Sequence, residues 1–191
     1  MFTDVMVDCE TTGVSSFDKN AMIQLAGVKF NIETQEVSPS VFNMSLKIPP
    51  NRFWDSSTRE WWGKQKPHIL QDILANGQDP KIVMGTFYSW LLEDYPATDD
   101  GLRFWSKPTH FDFSFVASYF HEYGFRNPCH YRSARDLNSF MSGLHGNANT
   151  TGYENKVEFD GDEHNALHDC LFQIKMLFAA KNATMQGVYE N

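Results

Sequence analysis

A chain of 191 residues that is 41% hydrophobic and 15% aromatic can bury a substantial core and is too apolar to stay disordered, so a single domain over residues 1–182 with a C-terminal tail, 183–191, is expected. No run of about eighteen apolar residues occurs, "MFTDVMVDCE" has neither a basic nor an apolar leader segment, and Cys9, Cys129 and Cys170 share no CxxC spacing, which predicts a cytosolic protein with reduced thiols and no membrane partner. The net charge of −8 argues against a broad basic surface for nucleic acid, unless a carboxylate cluster is completed by divalent cations.

In chain order, "DVMVDCE" is a short apolar run ending in acids, the pattern of a buried strand whose far end reaches a site. A polar turn follows, and "MIQLAGVKFNI" and "VFNMSLKI" predict two more strands, giving an antiparallel meander. Pro49 and Pro50 close this region. Ser57 followed by Glu60 has the spacing of a capping box and predicts a helix start in "SSTREWWGKQ". Ile82, Val83, Phe87, Trp90 and Leu91 recur at helical spacing; "GLRFWS" predicts a strand, followed by a helix from about Phe111 to Tyr123. "CHYRSARDL" predicts one more strand running into a helix from Asp136. The polar, glycine-rich stretch from Gly143 to Gly161 predicts a loop before a final helix from about Asn165 to Ala180. Strands alternating with helices after an antiparallel start indicate an α/β or α+β sheet with helices on its faces.

Three places carry candidate chemistry. Asp8 and Glu10, two apart on a strand, point to one face of the sheet, although D-x-E pairs at strand ends are often only solvated. Asp112 stands in the first turn of a predicted helix, where it could equally serve the helix dipole. In "HNALHDC", His164 precedes the last helix and Asp169 follows five residues later, with a surface histidine and a first-turn acid as the plain alternatives. Together Asp8, Glu10, Asp112 and Asp169 make a set of hard oxygen ligands suited to Mg²⁺ or Mn²⁺. Two ions about 3.5–4 Å apart can serve both sides of a phosphodiester hydrolysis, and His164, with an ordinary pKa of about 6.5, suits the removal of a proton from water.

In order and spacing these motifs resemble the DEDDh 3′–5′ exonucleases: "VDCETTG" with Asp8 and Glu10, "HFDF" with Asp112, and "HNALHD" with His164 and Asp169. "STREWWGKQ" and "ARDLNSF" are similar to segments of phage exonuclease A and of exoribonuclease AS-type domains. The resemblance implies an α/β, RNase H-like fold with a mixed five-stranded sheet and helices on both faces. It implies two Mg²⁺ ions with Mn²⁺ able to substitute, Asp8 bridging them, Glu10 and Asp169 at the ion nearer the attacking water, and Asp112 at the ion nearer the leaving group. It further implies His164 as general base, single-stranded DNA or RNA 3′ ends as substrate, nucleoside 5′-monophosphates as product, a bacterial or phage-infected cytosol and compatibility with a homodimer. Pro108, Thr109 and His110 depart from the commonest second motif. A catalytically silent nucleic-acid-binding module of the same fold is the alternative.

A zinc hydrolase reading of His164 and His168 lacks the required Glu after the first histidine, because Asn165 stands there. His168 and Cys170 are therefore expected to be supporting helix residues. Thr11, Thr12, Trp61, Trp62 and Phe111 are expected to contact substrate, with Phe53 and Trp54 as further rings for stacking. Trp61 and Trp62 lie about 100° apart around a helix, so at most one faces the substrate.

Overall fold

The computed structural model describes residues 2–93, 101–148 and 156–189, with side chains through 183. Five strands, β1 (Asp4–Thr11), β2 (Met22–Asn31), β3 (Glu36–Ser45), β4 (Arg103–Ser106) and β5 (Ala134–Asp136), form one sheet in the order β3-β2-β1-β4-β5. β1 pairs antiparallel with β2 and β2 with β3, whereas β4 runs parallel to both β1 and β5. The mixed five-stranded sheet with a meander start is the expected architecture.

The helices are α1 (Ser56–Trp62), α2 (Pro67–Ala75), α3 (Pro80–Leu92), α4 (Thr109–Glu122), α5 (Leu137–His145) and α6 (Ala166–Tyr189). The pleat of β1 sorts them into two layers. Val5, Val7 and Cys9 pack with Val83 and Phe87 of α3 and Phe115 and Tyr119 of α4. Met6 packs on the other face with Leu137 of α5 and Cys170, Ile174 and Leu177 of α6. Because side chains alternate along a strand, Asp8 and Glu10 share the Met6 face, beneath α6. A smaller cluster, Ile23 with Trp62, Ile69 and Ile73, seats α1 and α2.

At the opposite end of β1 from these acids, Asp4 is fully buried. It accepts hydrogen bonds from Arg103 Nε at 2.6 Å, Arg103 Nη2 at 2.8 Å and Trp105 Nε1 at 2.7 Å. This charge-assisted fork ties β1 to β4 where their parallel pairing begins.

Four details differ from the sequence expectation. The cap of α1 is Asp55, whose Oδ2 accepts from the Thr58 amide at 2.9 Å, while the Ser57 hydroxyl donates to the same oxygen. Helix α2 is an addition to the sequence expectation: it starts with Pro67 in its first turn and buries Ile69 and Ile73, which with Leu70 and Leu74 recur at helical spacing. Within the predicted 143–161 loop, α5 continues to His145 and 149–155 lie outside the described residues. Helix α6 runs to Tyr189, nine residues past the expected end.

Candidate active site

The end of β1 delivers Asp8 and Glu10 into a cleft of about 690 Å³ that Asp112, His164 and Asp169 also line. Glu10 and Asp112 are buried, whereas Asp8, His164 and Asp169 are partly open to the cleft. Asp112 is held at the junction of layers: its Oδ1 accepts the Cys9 amide at 2.9 Å, joining the first turn of α4 to β1. That turn is itself anchored by Asp136 at the end of β5, whose Oδ2 accepts the Thr109 amide at 2.9 Å while its Oδ1 caps α5 through Ser139 at 2.8 Å.

Asp169, in the first turn of α6, and His164, just before it, meet Glu10 so that one ligand atom from each lies within 4.8 Å of the others. His164 adopts φ 64°, a left-handed backbone conformation uncommon for a residue other than glycine. Its ring stands edge-on to Trp61, with centroids 4.7 Å apart. The loop that presents it is tied down on several sides. Asp162 accepts Lys66 Nζ at 2.7 Å, and its amide donates to His168 Nδ1 at 2.9 Å. Gly161, at φ 115°, lies against the His168 ring, where a Cβ would come within 2.6 Å of Nδ1. His168 thus supports the loop through Nδ1, and the ligand atoms that meet beside it are those of Glu10, His164 and Asp169.

Converging carboxylates with little positive charge raise one another's pKa. Burial, then the Asp169 charge, pushes Asp8 up to about 7, against the amide of Gln173 and the charge of Lys107. Burial carries Asp169 to about 6, against a hydrogen bond from the His164 backbone amide. Burial and then Asp8 drive Glu10 and Asp112 well above the usual carboxylate range. Burial lowers the pKa of His164, which favours its neutral, proton-accepting form. A buried set of acids that resists ionisation without added positive charge fits divalent cations, and its donors are carboxylate oxygens with one imidazole beside them, the hard set that suits Mg²⁺ or Mn²⁺.

A second cleft of about 600 Å³ adjoins the first and shares Cys9, Glu10 and Phe111 with it. Trp61 is 40% exposed and lines this cleft, whereas Trp62 is buried and donates its indole N–H to the Thr11 carbonyl at 3.0 Å. Phe111 stands between the two clefts. Thr11 Oγ1 donates to the Gly13 carbonyl at 2.7 Å. Thr12 is fully buried, and its hydroxyl donates to the Phe53 carbonyl and accepts the Ala21 amide, both at 2.7 Å. Direct substrate contact is therefore not met at Thr12, whose hydroxyl shapes the turn after β1. Phe53 is exposed, while Trp54 packs beside the α1–α2 cluster. Sequence reasoning passed over Lys107 and Gln173, which also line the acidic cleft. Gln173 had a readable signal in its position four residues after Asp169, on the same helix face.

The sequence matches the family model of the 3′–5′ exoribonuclease Rv2179c-like domain over residues 3–180. No curated protein matches. Among solved structures, the chain is similar to the nuclease domain of 3′hExo, a DEDDh family member bound to rAMP, at TM-score 0.72 and 14% identity, covering 95% of this chain and 93% of that one. It is also similar to Escherichia coli exonuclease I in complex with a dA16 oligonucleotide, at TM-score 0.70 and 15% identity, covering 100% of this chain but only 43% of that one. Schizosaccharomyces pombe Pop2p, in its Mg²⁺- and Mn²⁺-bound form, follows at TM-score 0.65 and 14% identity, covering 95% and 83%. At such identities these likenesses establish the fold, which agrees with the DEDDh resemblance of the motifs. The family match spans β1 to α6 and includes every element that carries an acid of the cleft, and on that basis the chain belongs to the Rv2179c-like family of 3′–5′ exoribonuclease domains.

Proposed function

We propose that residues 1–182 form one cytosolic exonuclease domain that releases nucleoside 5′-monophosphates from single-stranded 3′ ends or overhangs. RNA is the favoured substrate on the family's description as exoribonucleases, with DNA ends the competing one. The observation that carries this reading is the meeting of Glu10, Asp169 and His164 within 4.8 Å, drawn from a strand, a helix and a loop.

Asp8, Glu10, Asp112 and Asp169 would hold two Mg²⁺ ions, with Mn²⁺ able to substitute, as the metal-bound form of Pop2p suggests by analogy. Divalent cations bound there supply the positive charge that this acid set lacks and stabilise the charge that builds on a phosphodiester during hydrolysis. His164, kept neutral by partial burial, accepts the proton of the attacking water. Trp61 limits the swing of its ring. Phe111 and the exposed edge of Trp61 offer apolar surface to the bases next to the scissile phosphate. Because four acids are neutralised by bound cations, substrate capture does not require a basic surface, and the negative net charge becomes compatible with the reaction.

The test is digestion of a 3′-labelled single-stranded oligonucleotide with Mg²⁺. Asp8→Ala and His164→Ala should each reduce mononucleotide release by at least about 100-fold, the lower range for loss of general-base catalysis, and EDTA should stop it. Undiminished release by both variants would sink the proposal. Matched RNA and DNA strands in the same assay rank the two substrates through the 2′-hydroxyl.

A further inference from the structure

We infer that Gln173 is a positioning residue that holds Asp8 in the orientation in which the acidic cleft receives its cations; the inference rests on the metal-dependent reading above. Gln173 lies in α6, four residues after Asp169, so both side chains leave the same helix face. It is only 5% exposed, and its Nε2 donates to Asp8 Oδ1 at 2.8 Å. The backbone that presents it is fixed by Cys170, Ile174 and Leu177, which pack with Met6 on the sheet face that also carries Asp8. One oxygen of Asp8 is therefore tied to the rigid part of α6 that also carries Asp169.

A second observation separates this role from plain packing. Among the described residues, Gln173 Oε1 is the one buried side-chain polar atom without a hydrogen-bond partner. A residue needed only to fill this space would be apolar, since an unpaired buried acceptor costs stability. Gln173 instead keeps an amide whose N–H faces a carboxylate, and it lines the acidic cleft. An amide is suited to this position because it donates to a carboxylate without adding a cation that would compete with the metal for the same oxygens. Groups that orient metal ligands in this way typically change metal affinity about 10–100-fold when removed.

The experiment uses the full chain stripped of metal and titrated with Mn²⁺ by calorimetry, beside Gln173→Met, which keeps length and helix preference. Gln173→Asn keeps the amide but is one methylene too short to reach. Both variants should bind Mn²⁺ about 10–100-fold more weakly, and excess Mn²⁺ should restore their turnover. KM for a single-stranded oligonucleotide at saturating Mn²⁺ should stay within about twofold, as expected when uniform substrate binding is untouched. The metal-stripped Gln173→Met protein should melt close to wild type, because loss of the hydrogen bond to Asp8 is offset by removal of the unpaired oxygen. If Gln173→Met does not fold, Gln173→Asn carries the measurement. A lowered melting point with unchanged Mn²⁺ affinity would mean that Gln173 only packs, and would overturn the inference while leaving the metal-dependent reading intact. Wild-type protein that binds no Mn²⁺ overturns both.

Discussion

Trp61 and Trp62 are adjacent in sequence yet serve different ends, because a helix turns about 100° per residue. Trp62 is 2% exposed and its indole N–H is bonded to Thr11, so it belongs to the packing that seats α1 beside β1. Trp61 is 40% exposed and meets the His164 ring edge-on. Trp62→Ala should therefore cost about 3–5 kcal/mol of stability, the usual range for deleting a buried aromatic ring, as measured by urea unfolding. Trp61→Ala should leave the unfolding midpoint nearly unchanged and lower kcat roughly tenfold, since a small misplacement of a catalytic group can cost up to about 100-fold. Trp61→Phe keeps an aromatic edge and should recover most of that loss in steady-state kinetics. Equal effects of the two alanine substitutions on stability would contradict the division of labour.

At the scale of elements, the first turns of α4 and α6 bring Asp112 and Asp169 to β1, and Asp136 governs the first of these. Its two oxygens take one amide from the start of α4 and one from the start of α5. Asp136→Ala removes both caps at once and should destabilise the protein by about 2 kcal/mol, taking about 1 kcal/mol per cap. Chemical denaturation checks the value, and a loss no larger than that of an exposed substitution would show that the caps act weakly. Much of this scaffold is legible in the sequence. Apolar runs from Val5 to Val7 in β1 and from Leu25 to Val28 in β2 mark strands buried on both faces, and the two-residue spacing of Asp8 and Glu10 sets their common face through the pleat. What escapes sequence reading depends on contacts made across the fold. Asp55 rather than Ser57 caps α1 because the chain is extended at Asp55. Gln173 is placed on the Asp169 face by its four-residue spacing, but its bond to Asp8 appears only once α6 lies across β1. Thr12 reads as a polar residue beside a site, yet its hydroxyl is used by Phe53 and Ala21 from other segments.

For the whole molecule, the acidic cleft couples stability to pH and, on the proposed metal-dependent reading, to divalent cations. Asp8 titrates at about 7 in the folded protein against an ordinary 3.8, and Asp169 at about 6, so the metal-free fold binds more protons than the unfolded chain. The stability these groups contribute is complete below about pH 4 and is lost as pH rises through their folded values. His164 acts in the opposite sense: its pKa is lowered, so its contribution is present above its ordinary 6.5 and is lost as pH falls. The carboxylates dominate because there are more of them and their shifts are larger. In EDTA the melting temperature should therefore fall between pH 5 and 8, and the decline should be shallower in Asp8→Asn, which cannot ionise. Cations require ionised ligands, so the rise in melting temperature on adding Mn²⁺ should widen over the same interval. At 100 times the dissociation constant it corresponds to about 2.7 kcal/mol for one site. Differential scanning calorimetry across this range measures both trends. A Mn²⁺ increment that is constant from pH 5 to 8, or equally large in Asp8→Asn, would mean that the cation binds elsewhere and that the four acids do not act as one site.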